Sequence, residues 1–228
     1  MIRFAGAAIT LTILIGSFAF AQDSTPKVQV YGGYALVHSP TGGLSDTMLD
    51  ENLHQRSDAF GLASNFNGWN AEGQYNVSPW IGIAADFGGR TGSQITGKSG
   101  ISGMPSQNAY SFLGGPVLSY RTNSKFTPFA HVLAGWDRTS LSASTITGPS
   151  APVPVTATNY TGFAVALGGG VDYKIIPHFA LRLGQVDYYH TSLNLNKFYT
   201  SAFGGESFTG LATRQRNIRV AVGAVFQF

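Results

Sequence analysis

The chain has 228 residues and a formal net charge of +3, with 11% charged residues against 13% aromatics and 29 glycines. So few charges fall well under the quarter usual for soluble domains, while the apolar content is too high for a disordered chain. The absence of cysteine excludes a disulfide scaffold, thiol chemistry and a lipid-bearing cysteine, and scattered basic residues give nucleic acid no electrostatic footprint.

Residues 1 to 21 read as a secretory signal peptide. A basic Arg3 precedes an apolar run, and Ala19-Phe20-Ala21 stands before polar Gln22. Cleavage is expected after Ala21, leaving 22 to 228 as a single exported domain; a retained anchor helix is the other reading. No later stretch is apolar and long enough for a spanning helix.

Eight segments of period two follow. The first lies near Val28 to Val37, ahead of a long polar connection. The second, near Gly68 to Val77, meets the third, near Trp80 to Arg90, across a tight turn. A Gly/Ser-rich loop leads to the fourth, near Tyr110 to Arg121, and "TNSKFTP" turns into the fifth, near Phe129 to Arg138. A Ser/Thr/Pro-rich loop precedes the sixth, near Tyr160 to Lys174. "IIPH" turns into the seventh, near Phe179 to Tyr189, and a long loop reaches the last, ending "IRVAVGAVFQF". Long loops thus alternate with short turns, and no segment carries a helical apolar stripe.

The chemistry of the two faces decides between a soluble sandwich and a membrane barrel. In the sixth segment Phe163, Val165, Leu167, Val171 and Tyr173 share a face opposite Gly162, Ala164, Ala166, Gly168, Gly170, Asp172 and Lys174. A sandwich would place large polar residues there. A small or charged face instead suits the cramped interior of a small barrel whose bulky side meets lipid. The predicted fold is therefore all-β: an eight-stranded antiparallel up-and-down transmembrane β-barrel.

Aromatics support this by gathering at strand ends. Trp80, Tyr120, Tyr173, Phe179, Phe226 and Phe228 lie beside the short turns; Trp69, Trp136, Tyr160 and Tyr189 lie beside the long loops. Two such bands are expected where a membrane meets water. Pairing the last strand with the first would also keep the C-terminal strand from fraying.

Projecting the alternation inward places Glu72, Asp86 and Asp172 in the interior with Arg90, Arg121, Lys174, Arg182, Arg219 and His131. Asp187 joins them if the seventh strand bulges near Gly184-Gln185. A charge left unpaired in a dry interior costs several kcal/mol, so these groups are expected to pair across the barrel as a polar network. The same set would serve as the lining of a narrow polar path.

With those features in place, the chain resembles the small eight-stranded outer-membrane barrels typified by the transmembrane domain of OmpA and by OmpX. "GWNAEGQYNVSPWIGIAADFGG", "YSFLGGPVLSYR" and "IRVAVGAVFQF" carry the likeness. The resemblance implies an outer-membrane address and a C-terminal signal for the barrel-assembly machinery at Val222, Phe226 and Phe228. It also implies short turns toward the periplasm and four long loops outside. A peptidoglycan-binding domain, as in OmpA, is not expected.

Catalysis has one candidate. His190 and Ser192, with Glu206 farther on, suggest hydrolase triad logic, and eight-stranded lipid deacylases use a histidine and serine so placed. H-x-S is nevertheless a common tripeptide whose members share a face of any strand. No metal spacing or phosphate loop appears. The expectation is a monomeric, cofactor-free structural or surface-interacting barrel. Its partners would be outer-membrane lipids, the assembly machinery and extracellular ligands at the loops, with no nucleic acid. A narrow pore and a lipid-modifying enzyme are the alternatives.

Overall fold

The structure, a computed structural model, describes residues 25–38, 65–92, 106–122, 124–142, 144–146, 153–155, 157–194 and 212–228. The expected signal peptide, Glu206 and most of the long connections lie outside these.

The described residues form ten strands: β1 (Val28–His38), β2 (Asn65–Asn76), β3 (Ile81–Gly92), β4 (Gln107–Ser119), β5 (Phe126–Leu141), β6 (Ser144–Ile146), β7 (Val153–Val155), β8 (Thr158–Ile176), β9 (Phe179–Asn194) and β10 (Ala212–Gln227). Eight of them close an antiparallel barrel in the order β1-β10-β9-β8-β5-β4-β3-β2, and β6 and β7 form a separate small hairpin between β5 and β8. The predicted segments correspond to the barrel strands. β5 and β8 run longer than expected at both ends, and β9 and β10 toward the loop end, at 16 to 19 residues each.

The last strand meets the first along ten paired positions, from Gln29↔Gln227 to His38↔Ile218. Beyond the ladder, Val28 N donates to the Phe228 carbonyl at 3.1 Å and Phe228 N to the Val28 carbonyl at 2.8 Å. The terminal strand is thereby held on both sides and presents no edge.

Burial follows parity around the wall. On β3, Ile81, Ile83, Ala85 and Phe87 face outward while Gly82, Ala84, Asp86 and Arg90 are buried. Ile83 remains 60% exposed and Leu167 56%, whereas Asp86 and Asp187 are fully buried. In water such an arrangement is inside out, because exposed apolar area is penalised by about 25 cal/mol per Å². In hydrocarbon it is the stable one, since the closed ladder leaves no open sheet edge facing the lipid.

Outward aromatics fall in two bands. Near the short turns stand Trp80, Tyr120 and the ring pairs Phe126–Tyr173, 5.0 Å apart, and Phe179–Phe226, 5.4 Å apart. Toward the loops stand Trp136 and Trp69, the latter edge-on to Phe87 at 5.4 Å. The ten-residue step from Phe126 to Trp136 on β5 spans about 33 Å along a strand. A tilt near 40° reduces that to about 25 Å of height, the thickness of an outer-membrane apolar band. Tyr160 and Tyr189 correct the expectation. Both are buried inside the barrel, because their parity, not their nearness to a strand end, sets which way they point.

A barrel closed by this many ladder bonds should resist cold detergent. Unboiled protein is expected to migrate at a different position from boiled protein on a detergent gel; a single unchanged band would contradict the closed fold.

Candidate functional site

The interior is the chemically dense region, and it begins with a break in the regular ladder. On β10, Ala221 pairs with Gln185 and Gly223 with Arg182. On β8, Val171 pairs with Gly184 and Asp172 with Arg182. One extra residue in β9 at Leu183–Gly184 therefore lets Arg182, Gln185 and Asp187 all point inward, while Leu181, Leu183 and Val186 face out. This is the bulge required to keep Arg182 and Asp187 on one side.

Arg182 forms a clamp across the lower interior. Its Nε and Nη2 donate to the two Asp172 carboxylate oxygens at 2.9 and 3.3 Å. Its Nη1 donates to Gln185 Oε1 at 2.7 Å and to Glu72 Oε1 at 3.2 Å. The guanidinium lies between two aromatic rings, 4.2 Å from the centroids of both Tyr31 and Phe129. Bidentate pairing and stacking use the planar fork that distinguishes arginine from lysine.

Above the clamp, Arg219 joins two carboxylates. Nε donates to Asp187 Oδ2 at 2.7 Å and Nη1 to Asp86 Oδ1 at 2.8 Å. Asp187 also receives Gln185 Nε2 at 2.8 Å and sits 2.9 Å from His131 Nε2. Asp86 accepts from Asn70 Nδ2 at 3.1 Å, and Tyr31 donates to Asn70 Oδ1 at 3.2 Å. A third level lies nearer the loops, where Arg90 Nη1 donates to Asp137 Oδ2 at 2.7 Å. Tyr189 and Thr139 also donate to that carboxylate.

The glycines facing this column have a steric purpose. A Cβ on Gly168 would overlap the Asp187 carboxylate, and one on Gly82 would sit 2.8 Å from Asn76 Oδ1. Gly168→Val should therefore push Asp187 out of reach of Arg219 and lower the thermal midpoint of the folded band on a gel. The outward Gly73, whose Cβ would meet nothing within 4 Å, should accept the same change with little shift.

The rest of the cross-section is apolar. Ala84, Leu113, Val117, Phe129, Leu133, Ala164, Ala166 and Tyr189 form one buried cluster on the β3–β4–β5–β8–β9 side. The interior is thus larger in its side chains than the small-residue face of the sixth segment suggested. A void beside Arg90 and Arg219 measures about 10 Å³, room for roughly one water.

Eight of the ten sequence-predicted interior residues are buried: Glu72, Asp86, Arg90, His131, Asp172, Arg182, Asp187 and Arg219. Lys174 is not among them. The β8–β9 register shifts between Lys174 and Ile176, and its side chain is exposed at the short-turn rim, where an ammonium keeps its hydration. Arg121 is only half-buried and lies past the end of β4. It donates to the Pro79 carbonyl at 2.7 Å, to Gln29 Oε1 at 3.2 Å and to Asn76 Oδ1 at 3.3 Å, closing the lower mouth through neutral acceptors rather than an ion pair. Burial draws its guanidinium below the ordinary value, with Asp172 opposing; it stays cationic.

Sequence reasoning missed Asp137, Tyr189 and Gln185. Asp137 shares parity with His131 and follows outward Trp136, so the alternation alone points to it. With it, the described interior holds five carboxylates against three arginines and His131, where the projection had expected the signs nearly matched.

His190 and Ser192 sit on β9 opposite Arg216 and Arg214 of β10. Their parity is opposite to that of the buried Tyr189 and Thr191, so they face away from the interior column. Among the described residues there is no metal-binding cluster of three or more His, Asp or Glu. Val222 and Phe226 point outward on β10, and Phe228 is half-buried at its end.

A family model described as "Outer membrane protein beta-barrel domain" matches residues 7–226. Among solved structures, Ail, the attachment invasion locus protein of Yersinia pestis, is 16% identical with a TM-score of 0.50, over 90% of this chain and 100% of that one. Neisserial surface protein A is 14% identical with a TM-score of 0.49, over 90% and 98%. The outer membrane protein OprG from Pseudomonas aeruginosa is 12% identical with a TM-score of 0.47, over 90% and 96%. A search of the curated proteins found no match.

Proposed function

Since the chain belongs to the outer membrane protein β-barrel domain family, we propose that this outer-membrane barrel has a structural or surface-interacting role exerted through its long loops, without catalysis or conduction. The observation that carries the reading is the Arg182 clamp: one guanidinium bonded to Asp172, Glu72 and Gln185 and stacked between Tyr31 and Phe129. A side chain so fully engaged blocks the middle of an eight-stranded barrel, whose interior is just wide enough for side chains to fill. Leu113, Val117 and Leu133 fill the other half. The working parts are then the outer wall and the loops.

In this reading the short turns and Phe228 lie at the periplasmic side, where Val222, Phe226 and Phe228 serve as the signal read by the assembly machinery. The loops meet the exterior, and Ser, Thr, Gly and Asn in them suit adaptable polar contacts. Residues 1 to 21 are the export signal, and Trp69, Trp80, Tyr120, Trp136 and Tyr173 anchor the two interfaces.

Recordings across planar bilayers test the plug. Purified protein should give no reproducible unitary conductance steps; regular steps would transfer the assignment to a narrow pore. Adherence tests the loops. Cells displaying the full chain should bind surfaces better than cells displaying a folded barrel with shortened loops, and equal binding would leave the structural role alone. His190→Ala should leave the lipid profile of the outer membrane unchanged, since His190 and Ser192 share a face as residues i and i+2 of any strand do; an altered profile would revive the enzyme reading.

A further inference from the structure

Each of the two arginines nearer the loops keeps one corner that the protein does not bond. Arg219 bonds Asp187 through Nε and Asp86 through Nη1, and Arg90 bonds Asp137 through Nη1. Nη2 of each is buried and has no acceptor on the protein, in side chains 7% exposed for Arg90 and 4% for Arg219. A buried donor left unbonded is costly, more so on a charged group. Both arginines line the same void of about 10 Å³, together with Ser111, Tyr189 and Gly88. A Cβ on Gly88 would stand 3.0 Å from Ser111 Oγ and 3.8 Å from Arg219 Nη1, so the glycine keeps that space open.

Unbonded atoms continue from the void toward the loops. On β9 the next inward residue after Tyr189 is Thr191, and on β10 the inward residue before Arg219 is Asn217. On β4, Gln107 lies two inward steps before Ser111. Thr191 Oγ1, Asn217 Oδ1 and Gln107 Oε1 are all buried without a partner. The plug differs. Arg182 is bonded through all three of its side-chain nitrogens.

Size and charge select the occupant. The void has room for roughly one water. The two guanidiniums already meet three carboxylates, Asp86, Asp137 and Asp187, so a further anion would find no uncompensated cation. A water oxygen accepts both N–H groups and leaves its protons for acceptors such as Ser111 Oγ in the lining.

We propose that the loop-side end of the lumen is a water-binding site whose deepest molecule bridges Arg90 Nη2 and Arg219 Nη2, with further molecules bonded to Asn217, Thr191 and Gln107. The bridge joins the Arg90–Asp137 pair to the Arg219 group. Through Gln185, which bonds both Asp187 and Arg182, one network then runs from Asp137 to Asp172. Hydration ends at the fully bonded Arg182.

Solution NMR of the folded protein in micelles, with labelled arginine side chains, tests the site. The guanidinium protons of Arg90 and Arg219 should give Overhauser cross-peaks to water with the sign of bound solvent, and those of Arg182 should give none. No such peaks at Arg90 and Arg219, or equal peaks at Arg182, would overturn the site. Gly88→Ala, which puts a methyl into the void, should abolish the two peaks while the folded gel band persists; peaks that survive it would also overturn the bridge. Thr191→Val reads the rest of the site. Losing a water-bonded hydroxyl should lower the thermal midpoint of the folded band by about 2–4 °C, whereas a dry, unbonded hydroxyl is better replaced by a methyl, so a rise would overturn the hydrated end. Exchanging chloride for a large organic anion should change neither result; a dependence on chloride would give the void to an anion instead.

Discussion

Arg182→Leu should lower the free energy of unfolding by about 3–5 kcal/mol, the cost of removing one member of a buried ion pair and leaving its partners charged and unpaired. Two carboxylates lose their bonded cation at once, Asp172 and Glu72, each with a side chain no more than 6% exposed. Leucine also forfeits the contacts with Tyr31 and Phe129 that the guanidinium makes at 4.2 Å. Reversible urea unfolding of protein refolded into vesicles, followed by tryptophan emission, measures the loss. Lys174→Gln is the matched control, because its exposed side chain should hold the change within about 0.5 kcal/mol. Adding Asp172→Asn and Glu72→Gln to Arg182→Leu should recover part of the loss, since neutral amides no longer impose an unpaired charge; the coupling is the non-additive remainder. A cost under about 1 kcal/mol for Arg182→Leu would mean that the interior is wet and screened, and the plug would lose its energetic basis.

How far the sequence carries to this column depends on where each residue sits along its strand. In strand interiors parity is enforced, because a one-residue slip would turn the apolar set from lipid to core. Glu72, Asp86 and Arg219 are accordingly found where alternation puts them. Parity loses authority at the strand ends. Lys174 stands on one of the last rungs of β8 and Arg121 just past the end of β4, and their side chains follow local solvation instead. Tyr189 shows a different failure. Its nearness to a loop suggests an interfacial ring, yet once the bulge turns Asp187 inward, the residue two positions later must follow.

Partners were less legible than faces. Glu72 on β2 and Arg182 on β9 are 110 residues apart and are bonded across the lumen at 3.2 Å, with β1 and β10 between their strands in the wall. Which acid meets which base depends on the stagger of the closed barrel, a property of all eight strands together. Local sequence patterns carry no such information. The resemblance to small outer-membrane barrels supplied the closure; the bulge at Leu183–Gly184 and the glycine at 168 then decide the detailed pairing.

The outer wall is where a sequence reading and ordinary intuition about surfaces diverge most, and Leu167→Arg exposes the difference. Leu167 is 56% exposed, projects outward from β8 and pairs with Val132 of β5. That rung lies between the two aromatic bands, with Phe126↔Tyr173 below it and Trp136↔Phe163 above, and so near the centre of the apolar zone. On a water-facing sheet the change would be close to neutral. In a bilayer it should cost about 2–4 kcal/mol, whereas Thr161→Arg, beyond the Phe163 level toward the loops on the same outward face of β8, should cost about 0–1. Urea unfolding in vesicles reads both, and the quantity that matters is their difference. A gradient with depth can arise only if the wall itself is solvated by hydrocarbon, because nothing in the protein's own packing distinguishes two outward positions on one strand in this way. Equal small costs at both sites would place that wall in water and leave the buried carboxylates and the aromatic bands without a common cause.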